Sequence, residues 1–306
     1  MIRSDRQSQA DSGFGTNEPK TFSRVIGVDF SGAAQSGKTA WLAEMVSPRG
    51  LLVNDTDPRL QLVSLQPLGK LAGADARESV NAYLVDRISE ASETFWGCDF
   101  PFGLPIELKL GGWKRQLASI RTFSGDAKSF GRWLVQRTES GLGKKHVRRT
   151  TDRETLTPFD CYHYRIIYQT FHGMRDVLDP VAKIDSVAVL PFDYRRWQSG
   201  AAGSVVVEAC PSSTLKRLAL PHQRYKQSGG KPPESIHQQT RRTILKCISR
   251  WVDFSTHRRR VMMSDPGGDA LDAVLVGLGG WLGFASADHA AIAAHKRYPR
   301  EGRVYC

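Results

Sequence analysis

The stretch Arg24-Val-Ile-Gly-Val-Asp-Phe-Ser-Gly32 decides how the rest of this chain is interpreted. It is a short apolar run, rich in β-branched residues, that ends in the turn signals Ser31 and Gly32, a pattern typical of a buried strand. Asp29 stands at the end of the run, where a carboxylate is costly if it stays buried and unpaired. The stretch therefore predicts a buried strand with an acid at its end.

Further segments predict that this strand belongs to an α/β fold. Residues 39–46 could form a strand or a helix, but the segment is short and stops at Pro48 and Gly50. With a strand predicted at residues 60–68, the first three segments suggest an antiparallel meander. Apolar runs predict two more strands at 94–99 and 204–208, and the spacing of apolar residues predicts helices over 75–92, 233–254 and from about 268 onward.

The composition excludes several classes of protein. Of the 306 residues, 40% are hydrophobic and 24% are charged, which excludes a collagen-like or wholly disordered chain. No apolar run reaches the roughly 18 to 20 residues of a membrane-spanning helix. Residues 1–22 lack the apolar segment of a secretory signal, so we expect a disordered polar tail before a domain at 23–306. Five cysteines without a CxxC pair favour a reducing cytoplasm over a disulfide framework.

The chain is strongly basic, with a formal net charge of +12 at pH 7. Such an excess makes polyanions natural partners, although it can also serve solubility alone. Many of the cations lie in a predicted helical insertion at about 109–182. Its dense basic stretch predicts contact with the phosphate backbone of nucleic acid, and a solvated basic face is the alternative. The candidate nucleic-acid-binding residues are Lys144, Lys145, Arg148 and Arg149.

Acidic residues recur where predicted strands end or where a helix begins. Asp29, Asp99 and Glu208 end or follow apolar runs, so their carboxylates should leave the sheet at its rim, where α/β proteins place their active sites. Asp269 and Asp272 are three residues apart and share one helical face. Crowded carboxylates repel unless they are protonated or neutralised, and oxygen ligands of this kind suit Mg²⁺ or Mn²⁺. Each acid taken alone could instead be a helix cap or a solvated strand end.

These acids lie in a series of motifs, which are Val25-Ile-Gly-Val-Asp-Phe-Ser-Gly32, Cys98-Asp-Phe-Pro-Phe-Gly-Leu-Pro105, Val207-Glu-Ala-Cys-Pro211, Asp269-Ala-Leu-Asp-Ala273 and Glu301-Gly302. In this order they resemble the motifs of a known family, a domain-of-unknown-function family described as predicted ribonuclease H-like nucleases. The resemblance extends over residues 25–302 and leaves out the tail and much of the insertion.

The resemblance implies a ribonuclease H-like fold, which is a five-stranded mixed sheet flanked by helices with its first three strands antiparallel. It also implies that Asp29, Asp99, Asp269 and Asp272 are metal ligands, with a less defined role for Glu208. Residues and resemblance together predict a cytoplasmic, Mg²⁺- or Mn²⁺-dependent nuclease. It would hydrolyse phosphodiester bonds by a two-metal mechanism, with these five acids as the catalytic residues. The kind of nucleic acid and the oligomeric state stay open.

A second motif in the same region predicts a different function. Residues 32–39 satisfy the GxxxxGK[ST] pattern of a phosphate-binding P-loop and follow a predicted strand. In that interpretation Gly32, Gly37, Lys38 and Thr39 would bind ATP or GTP, as a P-loop protein or as an ATPase or kinase of the actin-like type. A P-loop needs a helix that begins at Lys38, and the short distance to Pro48 disfavours one. A noncatalytic module that binds nucleic acid is a third alternative.

Overall fold

The polypeptide forms a mixed sheet with helices on both of its faces. The computed structural model describes residues 20–227 and 229–306, and within these residues the sheet has eight strands. The strands are β1 (Thr21–Asp29), β2 (Trp41–Leu52), β3 (Leu60–Pro67), β4 (Thr94–Cys98), β5 (Val187–Leu190), β6 (Ser204–Ala209), β7 (Val252–Asp253) and β8 (Val304–Tyr305). Their order across the sheet is β5-β6-β4-β1-β2-β3-β7, with β8 paired to β6.

The pairing of the strands divides the sheet into an antiparallel half and a parallel half. β1 pairs antiparallel with β2, and β2 with β3, which confirms the predicted meander. β4, β6 and β5 continue parallel on the other side of β1, and all their residues are buried, as is typical of a parallel sheet covered on both faces. The α/β prediction is confirmed, but the expected number of five strands is wrong. The additional strands β5, β7 and β8 have only 4, 2 and 2 residues, too few to show a periodicity.

The helices that flank the sheet are α1 (Leu68–Ala72), α2 (Arg77–Ser89), α3 (Trp113–Arg121), α4 (Ala127–Leu142), α5 (Thr150–Glu154), α6 (Ile167–His172), α7 (Asp179–Val181), α8 (Tyr194–Gln198), α9 (Pro211–Arg217), α10 (Ser235–Ile248), α11 (Thr256–Ser264), α12 (Asp269–Ala285), α13 (His289–Ala294) and α14 (Tyr298–Glu301). Those predicted from the apolar spacing are α2, α10 and α12. The segment predicted as a helical insertion contains α3 to α7, with a π-helical turn at Gly173–Leu178.

Within the described residues, no single helix combines the length and the apolar character needed to cross a membrane.

Two boundaries differ from the sequence prediction. Residues 1–19 of the predicted tail lie outside the described residues, but β1 begins at Thr21, so residues 21 and 22 belong to the sheet. β2 continues to Leu52, beyond Pro48 and Gly50. Its pairing register with β1 shifts in this stretch, so the residues around Pro48 bulge out of the ladder. A proline in a bulge removes no hydrogen bond between the strands, which is why it does not end the strand.

Alternating side chains of the central strands divide the interior into two apolar layers. Val25 and Phe95 pack in one layer with α12, whereas Ile26 and Trp96 pack in the other with α2 and the helices of residues 113–181. Successive residues of a strand point to opposite faces, so each strand contributes to both layers. α12 is therefore a core helix of one layer.

Glycines allow α12 to lie directly on β1 and β4. Gly27 and Gly97 are register partners in these strands. A Cβ atom on Gly27 would lie 1.9 Å from the carbonyl oxygen of Ala273 and 2.5 Å from the backbone nitrogen of Gly277. A Cβ atom on Gly97 would lie 2.6 Å from the carbonyl oxygen of Val276. The helix and sheet backbones are thus in contact, and any side chain at Gly27 or Gly97 would push α12 away from the sheet.

We predict that Gly27→Ala strongly destabilises the fold, because the added methyl group would overlap with helix backbone that cannot give way. Overpacking of this kind costs at least about 2 kcal/mol of the free energy of unfolding. Urea denaturation followed by circular dichroism measures the change.

Gly141→Ala is the matched control, since Gly141 lies in α4 with no atom within 4 Å of an added Cβ. We expect it to raise the free energy of unfolding by about 0.5 to 1 kcal/mol, the usual helix preference for alanine over glycine. Equal effects of the two substitutions would contradict the contact between α12 and the sheet.

Candidate metal centre

Three carboxylates from distant parts of the chain meet at one end of the sheet. Asp29 is the last residue of β1, and Asp269 and Asp272 occupy the first turn of α12. One oxygen of each lies within 4.8 Å of the others, an arrangement that could hold a metal ion. Asp29 and Asp272 are buried, with 7% and 1% of their surface exposed, and Asp269 is half-buried. The sequence prediction that these acids belong together agrees with this geometry.

The turn before α12 determines the positions of Asp269 and Asp272. Gly268 adopts a left-handed conformation with φ of 77°, which glycine tolerates best, and its carbonyl accepts the first hydrogen bond of α12 from the Asp272 amide. The Asp265 carboxylate accepts a hydrogen bond of 3.0 Å from the amide of Ala270. Since Asp269 and Asp272 are separated by three residues, both project from one side of the first turn. Their position is a direct result of this tight turn.

Burial raises the pKa of every acid in the cluster. For Asp29 burial is the main cause, opposed by Lys226 and reinforced by the neighbouring acids. Burial raises the pKa of Asp269 to about 6, again opposed by Lys226. Burial, reinforced by the charge of Asp272, raises the pKa of Asp99 to about 8. These shifts mean that burial disfavours the charged forms of the carboxylates, and a cation placed among them would favour the charged forms.

Lys226 supplies one such cation. Its ammonium group forms an ion pair with Asp272 and lies 3.6 Å from an oxygen of Asp269. Tyr225 donates a hydrogen bond of 2.9 Å from its hydroxyl to the other oxygen of Asp272. The Lys226 side chain is 45% exposed, so it reaches the cluster from solvent. Sequence reasoning missed both residues because they lie in an irregular polar loop with no motif around them.

A buried arginine holds that loop against the start of α12. Arg241, fully buried on α10, donates hydrogen bonds to the carbonyls of Tyr225 at 2.7 Å, Asp265 at 2.5 Å and Pro266 at 3.1 Å. One side chain therefore fixes the loop of Lys226 and the turn before Asp269 relative to each other. Arg241 acts on the cluster through backbone positions rather than by touching the carboxylates.

Asp99 and Glu208 stand apart from the three clustered acids. Asp99 follows β4, its amide donates to the carbonyl of Val28 at 2.9 Å, and it lines a cleft together with Asp272 and Lys226. Glu208 lines the same cleft, but both of its oxygens accept hydrogen bonds from Arg149, at 2.5 and 2.8 Å. The structure thus places Asp99 beside the centre and places Glu208 in an internal ion pair.

The prediction that Arg149 binds nucleic acid is wrong. Arg149 is only 1% exposed, and its guanidinium group donates to Asp152, to Glu208 and to the carbonyl of Glu301. All of its donors are therefore used inside the protein. A run of basic residues does not show which of its side chains is buried. The sequence alone therefore could not predict the internal ion pairs of Arg149.

The other residues of the basic stretch face outward to different degrees. Lys144 and Lys145 are exposed, whereas Arg148 is half-buried and donates to the carbonyls of Thr157 at 2.8 Å and Pro158 at 3.0 Å. Neither lysine lines the cleft at the metal centre. Lys144 and Lys145 are thus the exposed cations of the stretch, whereas Arg148 keeps its charge but is held against backbone carbonyls.

The cleft at the centre has a volume of about 640 Å³ and combines acidic and basic groups. Asp99, Asp272 and Lys226 line it at the cluster, and Arg165 and Arg224 are further cations in its lining. Phosphate groups are bound by such cations, while the carboxylates suit a metal ion. The cleft can therefore accommodate a ligand that is itself anionic next to a cation held by the acids.

The glycine-rich segment 32–39 does not form a phosphate-binding loop. A 3-10 turn at Ser36–Lys38 leads into the strand β2, not into the helix that a P-loop requires. The amide of Gly37 donates to the carbonyl of Asp75 at 3.0 Å and so is occupied. A Cβ atom on Gly32 would lie 2.3 Å from the backbone of Tyr168, so the segment is packed against α6. The cofactor role predicted for Gly32, Gly37, Lys38 and Thr39 has no support in this geometry.

Comparisons with protein-family models, with curated proteins and with solved structures found no match for this chain. The resemblance to ribonuclease H-like nucleases thus stays an expectation based on motifs.

We predict opposite effects of two substitutions on binding of Mn²⁺. Asp29→Asn removes one anionic ligand and should weaken binding at least about tenfold. Lys226→Met removes a competing cation from Asp272 and should strengthen binding by a similar factor. Isothermal titration calorimetry measures both. Lys145→Met is the control and should bind Mn²⁺ as the wild type does, whereas unchanged binding in Asp29→Asn would argue against a metal centre here.

We also predict that Arg149→Met destabilises the protein by about 3 to 5 kcal/mol, because Glu208 and Asp152 would remain buried without their counter-ion. Denaturant unfolding measures the loss. Adding Glu208→Gln to the variant should recover part of it, since one uncompensated charge disappears. Lys145→Met, at an exposed site, should change stability by less than about 0.5 kcal/mol. A loss below about 1 kcal/mol in Arg149→Met would contradict the structural role of the ion pairs.

Proposed function

We propose that this protein is a metal-dependent phosphodiesterase that cleaves nucleic acid. The observation that carries the proposal is the cluster of Asp29, Asp269 and Asp272, whose oxygens lie within 4.8 Å of one another. Three buried or half-buried acids are rarely gathered in this way without a cation to balance them.

The strand arrangement supports a ribonuclease H-like fold. The central strands follow the order β3-β2-β1-β4-β6, with the first three antiparallel and the last two parallel to β1. This is the mixed five-stranded sheet that the motif resemblance leads us to expect, extended here by β5, β7 and β8. The acids lie at the carboxyl end of β1, after β4 and at the start of α12. We infer that the shorter strands are additions to that fold.

The donor set fits a hard divalent cation such as Mg²⁺ or Mn²⁺, since every available ligand atom is a carboxylate oxygen. Asp29, Asp269 and Asp272 would hold one ion, and Asp99, which follows the neighbouring strand β4, would contribute to a second. When bound, such ions activate a water and stabilise the leaving oxygen of a phosphodiester. Before binding, Lys226 compensates the charge of Asp272 and keeps the cluster together.

The cations of the cleft support a phosphate-bearing substrate. Arg165 and Arg224 line the cleft together with Lys226, and guanidinium groups bind phosphate oxygens with two parallel hydrogen bonds. The net charge of +12 adds a long-range attraction for polyanions. Nucleic acid is the polyanion that also presents the phosphodiester bond on which such a centre acts.

Binding of ATP or GTP at residues 32–39 is the weaker interpretation. Gly37 donates its amide to Asp75, and Gly32 is packed against the backbone of Tyr168, so neither leaves room or donors for a phosphate. The acids of the centre would also have no role in a P-loop protein. We therefore do not propose a nucleotide-binding function.

We predict that the wild-type protein cleaves at least one member of a labelled panel of single-stranded and duplex RNA and DNA, hybrid and branched DNA. Cleavage should need Mg²⁺ or Mn²⁺ and stop with EDTA. Asp29→Asn should reduce the rate at least about 100-fold, because it removes an anionic ligand while keeping the shape of the side chain.

Lys296→Ala, at an exposed site outside the cleft, is the control and should retain the wild-type cleavage rate. Circular dichroism verifies that Asp29→Asn is folded. Wild-type turnover in folded Asp29→Asn would overturn the catalytic assignment. A rise in melting temperature with ATP and Mg²⁺, in a protein that cleaves nothing, would instead favour the nucleotide-binding alternative.

A further inference from the structure

A second groove, away from the acids, concentrates unpaired positive charge. It has a volume of about 510 Å³ and lies between α10, α11 and the chain at Pro232 and Pro233. Arg242 of α10 and Arg259 and Arg260 of α11 line it, and no acidic residue of the described part of the chain does. Three like charges in one groove repel each other, so the groove is an electrostatically favourable place for an anion.

These three arginines differ from their neighbours in the sequence. Arg241 is buried and donates to backbone carbonyls, and Arg258 donates to the carbonyl of Val63. Arg242, Arg259 and Arg260 are exposed, and none of them makes an ion pair with any residue in the described ranges 20–227 and 229–306. Arg241 and Arg258 thus hold backbone carbonyls inside the protein, whereas Arg242, Arg259 and Arg260 are exposed. Of these three, Arg242 donates one hydrogen bond, of 3.4 Å, to the side chain of Gln238 in the same groove.

The groove is joined to the metal centre by the same stretch of chain. The loop that lines the cleft at Tyr225 and Lys226 lines the groove at Pro232 and Pro233. On the other side, α11 ends at Ser264, a groove residue, and the Asp265 carboxylate that follows accepts a hydrogen bond from the amide of Ala270 in the first turn of α12. A ligand strand bound in the groove would therefore contact α11, which leads directly into α12 with Asp269 and Asp272.

The geometry points to the groove as a binding surface for the phosphate backbone of the nucleic-acid strand that is cleaved at the metal centre. This inference rests on the proposed function. Exposed guanidinium groups bind successive phosphates without reading the bases, whereas Met263 and the two prolines offer apolar surface to sugars and bases. This surface lies on α10 and α11, whereas the predicted basic stretch at 144–149 has one of its cations, Arg149, buried inside the protein.

The consequence is that affinity depends on the arginines of the groove more than on basic residues elsewhere. Each phosphate contact that is lost removes one released counter-ion from the binding equilibrium. Removing three contacts should reduce the slope of log affinity against log salt by about 2 for a single strand. Removing three exposed charges elsewhere should change only the weaker long-range attraction.

The test compares two triple variants that remove the same charge. Arg242→Ala/Arg259→Ala/Arg260→Ala removes the groove cations, and Lys128→Ala/Lys144→Ala/Lys145→Ala removes three exposed lysines of the predicted basic insertion. The probes are fluorescein-labelled strands of RNA and DNA, single-stranded and duplex, of about 20 nucleotides, titrated in EDTA over a range of salt concentrations. Fluorescence anisotropy gives affinity and salt slope, and melting temperatures verify that both variants are folded.

We expect the groove variant to lose at least about tenfold in affinity with the reduced salt slope, and the lysine variant to lose less than about threefold. A third variant with lysine at the three groove positions should recover part of the affinity, because lysine also binds phosphate as a point charge. Equal losses in the two alanine variants, or a loss confined to the lysine variant, would overturn the assignment of the groove.

A separate measurement keeps this inference distinct from the proposed function. Hydrolysis of bis(p-nitrophenyl) phosphate with Mn²⁺ by the wild-type protein, a minimal phosphodiester without a strand, tests the catalytic centre alone. No hydrolysis, combined with the expected loss of strand affinity in the groove variant, would contradict the phosphodiesterase proposal and retain the binding surface. Hydrolysis without that loss would contradict the binding surface and retain the phosphodiesterase proposal.

Discussion

The contact between α12 and the centre of the sheet is the constraint on which the rest of the structure depends. Gly27 and Gly97 are partners on neighbouring strands, and together they leave a strip of sheet without side chains. The backbone of α12 lies on that strip, with Gly277 directly against Gly27. Because Asp29 is two residues beyond Gly27, and Asp272 is one turn and a half before Gly277, this close packing brings the two carboxylates together.

Gathering the acids has an electrostatic cost that other parts of the chain offset. Burial raises the pKa of Asp29 and of Asp272, so the charged forms need a partner. Lys226 provides it from a loop that Arg241 holds against the first turn of α12. The compensating ammonium group belongs to a partly exposed side chain, and the three carboxylates that it neutralises are placed so that they could hold a metal ion.

The sequence predicted the long elements and the acids well, since both have local signals. Asp29 ends an apolar run, and Asp269 and Asp272 have the three-residue spacing of one helical face. Both signals are local, and the structure brings the three residues together. The groove could not be predicted, because it forms between α10 and α11, which meet only in the folded chain. Lys226 lies in an irregular loop and gave no signal. Arg149 is buried although the sequence predicts that it binds nucleic acid, because a run of cations does not reveal which of them is buried.

The most direct test of a metal centre on Asp29, Asp269 and Asp272 is anomalous diffraction from crystals soaked in Mn²⁺. We expect an anomalous peak bonded to oxygens of the three carboxylates, with the ammonium group of Lys226 moved away from Asp272. An anomalous map with no peak at the three acids, and Lys226 still paired with Asp272, would contradict it.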